Sequence, residues 1–305
     1  MANVLITGGT GLIGQALVEK LKQHHHDVTV LTRHKAKAEK VFDFDVGIVD
    51  DLYSIDPNIY FDAIVNLAGE PIADKRWSEA QKSRIYRSRV DSTYGLVKWM
   101  KTRLMMPSVL ISGSAVGWYG DGKSSLLTEQ SGFHQEYTHE LCQDWEDAAQ
   151  SAKELGCRVC IMRTGLVLSN KGGFLQKMLP SFKCYVGGPI SNGRQYMPWI
   201  HIDDMVNAIM YLAFDSQREN LSGVYNLTAP KPVTNKEFSQ TLAKTLGRPC
   251  ALFVPSLMLK LIFGEMAQLL LTGQNAIPER LSQAGFEFKY HTLAPALEDV
   301  LSEKH

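Results

Sequence analysis

The sequence predicts a doubly wound α/β protein, a parallel sheet covered by helices on both faces, with a smaller mixed C-terminal substrate lobe. Three observations carry this expectation. Short, nearly continuous apolar runs alternate with helical patterns through the first two-thirds of the 305 residues, as in strands buried on both sides. The first run, Val4-Leu5-Ile6, breaks at Gly8, Gly9 and Gly11 and resumes with helical spacing at Ile13, Leu17, Val18 and Leu21. After Arg163 the pattern changes, with Gly172-Gly173, Gly187-Gly188-Pro189 and Asn192-Gly193 punctuating an irregular region.

The elements follow in order. Val28–Thr32, Val46–Val49 and Ala63–Leu67 read as the second, third and fourth strands, and residues 78–103 as one long helical segment. Val109–Ser112 is a fifth strand, 137–154 a helix and Arg158–Met162 a sixth strand. A helix over 203–214 and a strand over 224–227 then return to the sheet, and Pro230, Pro232, Pro255 and Pro278 separate amphipathic helices beyond it. Right-handed crossovers make this a Rossmann sheet, with ligands at the carboxyl ends of its strands. The expected division is a dinucleotide-binding domain over 1–168 and a substrate lobe over 169–305, with 199–228 rejoining the sheet.

Composition narrows the function classes. Thirty-two basic and 32 acidic residues cancel and are spread along the chain, which argues against nucleic acid or an anionic membrane as partner. Five irregularly spaced cysteines read as reduced thiols, and Cys157 and Cys160 lie in a strand where positions three apart face opposite sides, so no metal site is expected. His24-His25-His26 has no second ligand cluster and reads as a solvated loop. No apolar stretch spans a membrane and Met1 runs almost directly into the first strand, so the cytoplasm is the expected compartment.

The glycine turn carries the chemistry. Gly8 permits a tight turn, Gly11 lets backbone approach a pyrophosphate and Gly14 allows close helix–strand packing; Thr10, Leu12 and Ile13 complete the cradle. The helix that starts there offers free N–H groups and a positive dipole end to phosphate. The second strand ends at Thr32-Arg33, where an acid would bind the ribose 2′-hydroxyl of NAD; a guanidinium suits a 2′-phosphate, so NADP(H) is the expected cofactor. Asp50 is placed to take the adenine amino group. Small residues in Leu67-Ala68-Gly69 let backbone pass close to the nicotinamide ribose.

Gly8–Gly14, Asn66–Gly69 and Trp118-Tyr119-Gly120-Asp121 resemble the extended short-chain dehydrogenase/reductases. Leu67–Ile72, Arg76-Trp77, Ser88-Arg89, Ser114–Asp121, Trp145-Glu146, Arg163–Leu168, Gly187–Pro189, Gly193–Gln195, Trp199–Asp204 and Gly285-Phe286 resemble an atypical subgroup of sugar-nucleotide epimerase-like proteins, some labelled cell-division inhibitors. The resemblance implies a Rossmann fold, NADP(H) and a C-terminal substrate lobe. It also implies a Ser/Thr, a Tyr and a Lys four residues after that Tyr as catalytic groups. Counted from Tyr119-Gly120, this chain has Ala115 at the Ser/Thr position, with Ser114 one place early; aligned on Glu146, it has Thr138 at the Tyr position and Cys142 at the Lys position. Tyr137 is followed four residues later by Leu141 and is rotated about 100° around the helix.

Two readings follow. In the first, the protein is an NADP(H) oxidoreductase or epimerase with a displaced acid/base, acting on a small hydroxylated or nucleotide-linked substrate. Tyr119, Glu70 and His201 are its acid/base candidates. Arg33, Arg84 and Arg89 embrace the adenosine phosphates and Arg163 sits at the nicotinamide end, although a helix-face ion pair is the stronger account of Arg84. Ser114, Trp118, Arg194 and Gln195 are substrate-side candidates, and residues 78–103 could form a homodimer face. In the second reading, the chain binds NADPH without turnover, as a sensor that has lost the catalytic triad.

Overall fold

The computed structural model describes residues 1–42, 45–214, 221–250 and 252–302. Thirteen strands are described in chain order: β1 (Asn3–Thr7), β2 (Asp27–Leu31), β3 (Gly47–Val49), β4 (Ala63–Asn66), β5 (Val109–Ala115), β6 (Leu126–Leu127), β7 (Arg158–Thr164), β8 (Leu166–Leu168), β9 (Tyr196–Met197), β10 (Trp199–His201), β11 (Gly223–Leu227), β12 (Val233–Thr234) and β13 (Asn275–Ala276). The described α-helices are α1 (Leu12–Gln23), α2 (Lys35–Val41), α3 (Glu79–Arg87), α4 (Val90–Met100), α5 (Tyr137–Gln150), α6 (Gly173–Lys183), α7 (Ile202–Phe214), α8 (Asn235–Thr245), α9 (Ser256–Phe263), α10 (Gln268–Leu271), α11 (Glu279–Gln283) and α12 (Leu293–Ser302).

Seven strands form one parallel sheet in the order β11-β7-β5-β4-β1-β2-β3. This is the doubly wound Rossmann order, and the strand sequence reverses direction between β1 and β4. The two faces bury different side chains, as alternation along each strand requires. Val4 and Ile6 pack with Leu17, Val18 and Leu21 of α1 and with Val206 and Ile209 of α7. Leu5 and Ile64 point the other way, onto Leu96, Trp99 and Met100 of α4. Cys160 belongs to the first layer and Cys157 to the second, so this CxxC straddles the sheet. Burial pushes both thiols up to about 11.

The segment expected as one helix over 78–103 is two. Ser78 caps α3 by accepting from the Gln81 N–H, and the chain breaks at Ser88-Arg89 before α4. Ser88 is turned to other work there: its hydroxyl donates to Ile85 O and accepts from the Glu70 N–H. The helix from Tyr137 also stops earlier than expected. A 3-10 turn over Ser151–Leu155 follows α5, and Gly156 at φ +76° ends it in the left-handed region that favours glycine.

Beyond β8, side chains of α6, α8 and α12 build a separate apolar layer around Trp199, Phe182, Phe238 and Leu297. Small pairings stitch this lobe together and to the sheet domain: β10 to β8, β12 to β9 and β13 to β6. Among the described residues no helix is long and apolar enough to cross a membrane.

Candidate functional site

The site begins at the glycine turn between β1 and α1. Gly8 has φ +71°, and a Cβ there would stand 2.6 Å from the backbone carbonyl of Leu67. The turn is thus pressed against the end of β4, and only glycine fits. A Cβ on Gly14 would lie 2.4 Å from Gly8 O, so this glycine packs against the turn itself rather than against a neighbouring strand. Gly11 is exposed, and a Cβ there would meet only Gly8 O, at 3.2 Å. It opens α1 with no side-chain cap and no acid in the first turn, which leaves the leading N–H groups to an anion. Thr10, Leu12 and Ile13 are half-buried around this opening.

A buried polar network fixes β4 beside the turn. Thr7 donates to Asn66 Oδ1 at 2.6 Å and accepts from the Ala68 N–H at 3.2 Å. Asn66 donates to Thr93 at 2.8 Å and Ser112 at 3.2 Å, and Trp145 Nε1 donates to Thr93 at 3.1 Å. Every side chain in this set is satisfied inside the fold, so it sets geometry rather than chemistry. Leu67, Ala68 and Gly69 emerge from it as a half-open strip. At the adenosine side, Thr32 holds the end of β2 to β3 through Val49 O, and Arg33 and Asp50 are both exposed there.

The arginines divide differently from the sequence expectation. Arg84 is exposed and donates to Gln81 of its own helix at 2.6 and 3.1 Å. The Arg89 guanidinium lies against Gly69, with Nη1 donating to Glu70 O at 2.9 Å, and its Cζ stands 5.3 Å from the Trp145 ring centre. Arg163 is 3% exposed and donates to both carboxylate oxygens of Glu146, at 2.8 and 2.9 Å. Burial works against its charge, but Glu146 outweighs that and holds the guanidinium above its usual range. The same guanidinium lies 3.4 Å above the Trp118 ring centre.

Three candidates are therefore occupied in structural bonds. Ser114 donates to Glu146 Oε1 at 2.6 Å. Trp118 presents its ring to Arg163 and its Nε1 to Gln143, at 3.0 Å. Gln195 donates to Ile190 O and Leu270 O, tying its loop to α10, while Arg194 stays exposed. Glu146 was not singled out as a site residue from the sequence. Its one signal was an acid on the buried face of a helix that faces a strand-end arginine.

Two acid/base candidates need correcting. Tyr119, expected at the cleft mouth, is fully buried with Val116, Leu127 and Ala276, and its hydroxyl donates to Asn226 Oδ1 at 2.8 Å. The 3-10 turn Val116–Tyr119 rotates it into the seam between sheet and lobe. His201 is 1% exposed and belongs to the C-terminal lobe. Its Nδ1 accepts the Asp203 N–H at the start of α7, and its Nε2 stands 3.2 Å from Asp299 Oδ2. His201, Asp203 and Asp299 have ligand-type atoms within 4.8 Å of one another. Lys289 donates to Asp203 at 2.8 Å, so this is an ion-pair cluster already supplied with a cation. Glu70 is half-buried beside Gly69, its N–H and carbonyl held by Ser88 and Arg89.

A parallel sheet in the order 3-2-1-4-5 with a tight glycine turn at the switch point defines a Rossmann-type dinucleotide-binding protein. Residues 4–228 match the model of the NAD dependent epimerase/dehydratase family, and the chain belongs to that family. Residues 254–300 match a domain of unknown function, DUF1731. The chain is 37% identical to the epimerase family protein SAR0825 of Staphylococcus aureus, over 99% of this chain and all of that one. It is 41% identical to an Arabidopsis thaliana protein described as epimerase family protein SDR39U1 homolog, chloroplastic, over 98% of this chain and 86% of that one. The human epimerase family protein SDR39U1, isoform 2, solved with NADPH, superposes with a TM-score of 0.88 at 32% identity, over 99% of this chain and all of the human chain.

Proposed function

We propose that this protein is an NADP(H)-dependent oxidoreductase or epimerase-like enzyme acting on a small hydroxylated or nucleotide-linked compound. The observation that carries this is the turn at Gly8–Gly14, pressed onto Leu67 and opening an uncapped helix toward the strand ends. The N-terminus of α1 would hold the pyrophosphate, Arg33 the 2′-phosphate, Asp50 the adenine, and Leu67–Gly69 the nicotinamide ribose. The human relative solved with NADPH supports the same cofactor. Bound there, the nicotinamide supplies or accepts hydride. The cytoplasm is the compartment this reading assigns, in keeping with five free cysteines. Tyr86 and Tyr94, exposed on α3 and α4, favour a homodimer through that face.

Two measurements test the reading. In a tryptophan-quench titration, Arg33→Ala should weaken NADPH binding by about tenfold or more and leave NADH unchanged, because one charge-assisted contact to phosphate is worth about 1.5–3 kcal/mol. Equal loss for both cofactors would reject the 2′-phosphate assignment. NADPH deuterated at both C4 hydrogens, incubated with the protein and a metabolite extract, should yield one labelled metabolite. Binding without transfer would favour the sensor reading.

A further inference from the structure

Five of the described arginines are buried or half-buried: Arg89, Arg103, Arg158, Arg163 and Arg280. Four of them bond through two nitrogens each. Arg163 holds the Glu146 carboxylate with Nε and Nη2, and Arg103, Arg158 and Arg280 reach backbone carbonyls with Nη1 and Nη2. Arg89 departs from this pattern. Only its Nη1 is bonded, to Glu70 O at 2.9 Å, Ile85 O at 3.3 Å and the Ser88 hydroxyl at 3.4 Å. Its Nε and Nη2 make no hydrogen bond among the described residues, and neither atom is enclosed. That edge of a guanidinium carries two parallel donors and fits two oxygens at once.

The open edge lies beside the cofactor turn. A Cβ on Gly8 would stand 2.6 Å from Leu67 O and 2.8 Å from Ala68 N. Gly69 is the next residue and is exposed. A Cβ there would meet Arg89 Cζ at 3.0 Å, Nη2 at 3.1 Å and Nη1 at 3.3 Å, so the guanidinium rests on the glycine itself. Little charge offsets it. Burial pulls the Arg89 pKa down, and Cys142, Tyr137 and Glu70 are the neighbours that pull it back. Burial raises the pKa of Cys142 and of Tyr137, so both stay neutral near pH 7. Among the described residues no carboxylate, that of Glu70 included, lies within ion-pair distance of Arg89. A half-buried cation in this state gains free energy when an anion reaches it.

We propose that Arg89 receives an oxyanion, a carboxylate or phosphate carried by the substrate, which narrows the substrate class to anionic hydroxy or carbonyl compounds. This rests on the oxidoreductase reading above, in which Leu67–Gly69 carries the nicotinamide ribose. Nε and Nη2 take two oxygens of the anion, while Nη1 stays tied to Glu70 O and keeps the fork oriented before the substrate arrives. No proton or hydride passes through Arg89. It fixes where the anionic end of the substrate lies relative to the cofactor.

The receptor is read first by nuclear magnetic resonance of protein labelled with ¹⁵N in arginine. The Arg89 Nε–H signal is assigned by its loss in Arg89→Lys, or in Arg89→Gln if the lysine variant does not fold. At constant ionic strength, sodium acetate or inorganic phosphate should shift this signal saturably, with and without NADPH. No saturable shift with either anion would overturn the receptor. The cofactor's own phosphates are the other source of the same chemistry. If NADPH blocks the anion-induced shift, or Arg89→Lys weakens NADPH binding about tenfold or more, the oxyanion is the cofactor's and the substrate assignment falls. The second arm uses deuterated NADPH and the metabolite extract. The labelled compound should carry a carboxylate or phosphate, and Arg89→Lys should raise its KM about tenfold or more with a smaller change in kcat. A neutral labelled compound, or an unchanged KM, would overturn the proposal. If the unaltered protein labels no metabolite, the oxidoreductase reading is what fails, and the resonance titration still judges the anion site.

Discussion

Glu146 is 2% exposed and accepts two hydrogen bonds from Arg163 and one from Ser114. An isolated charge in such a place would be costly, but the two charges offset each other and the Trp118 ring covers the guanidinium, whose Nη1 alone is left without a hydrogen bond. Glu146→Gln would leave Arg163 buried without its counter-charge. We expect a loss of about 3 kcal/mol in urea unfolding, since breaking one side of a buried pair costs roughly 3–5 kcal/mol and the amide oxygen keeps one bond. The glycines at positions 8, 11 and 14 were legible in the sequence because their roles are local: a positive φ, an open approach and a close backbone contact. The meeting of Arg89 with Gly69 and Glu70 was not. Nineteen positions separate Arg89 from Glu70 in the chain, and no periodicity reports a contact made only by tertiary packing.

The break between α3 and α4 illustrates the limit at the level of elements. Residues 78–103 contain no proline, and the only glycine, Gly95, lies inside α4, so the pattern reads as one helix. What ends α3 is the tertiary partner of Ser88, the Glu70 N–H, which lies in the loop after β4. That bond fixes the turn from which Arg89 reaches Gly69. Ser88→Ala should cost about 1 kcal/mol of stability, seen as a Tm lowered by a few degrees. The strand and helix alternation itself was readable, because each element of the sheet buries its own apolar run. The side chains that leave those elements were less so: the sequence placed Tyr119 at the end of β5 but held no sign that the following 3-10 turn would point it inward.

Across the whole molecule, the C-terminal lobe is fastened by short pairings and by one buried histidine. His201 ends β10, faces Asp299 of α12 and packs its ring against Tyr290 at 4.0 Å. Burial lowers its pKa below 6.5 despite the pull of Asp203 and Asp299 in the other direction. The folded state therefore favours the neutral ring, whereas the unfolded chain takes up a proton at higher pH. The resulting contribution is complete above about pH 6.5 and is lost as pH falls through the lowered folded value. Tm measured from about pH 7.5 down to about pH 5 should decline less steeply in His201→Gln than in the unaltered protein. His26 is shifted in the same direction but is present in both, so the difference isolates His201.

The contact between Gly8 and Leu67 also orders events in time. Gly8 leaves the ribosome before the surface it must press against, which lies 59 residues later, and β1 gains its two flanking strands only when β2 and β4 have both emerged. Synthesis at roughly 5–20 residues per second leaves this apolar strand waiting for several seconds. The nucleotide cradle is thus translated well before the surface that completes it. During that interval β1 is a bare strand with both edges unpaired, open to wrong partners until its neighbours arrive.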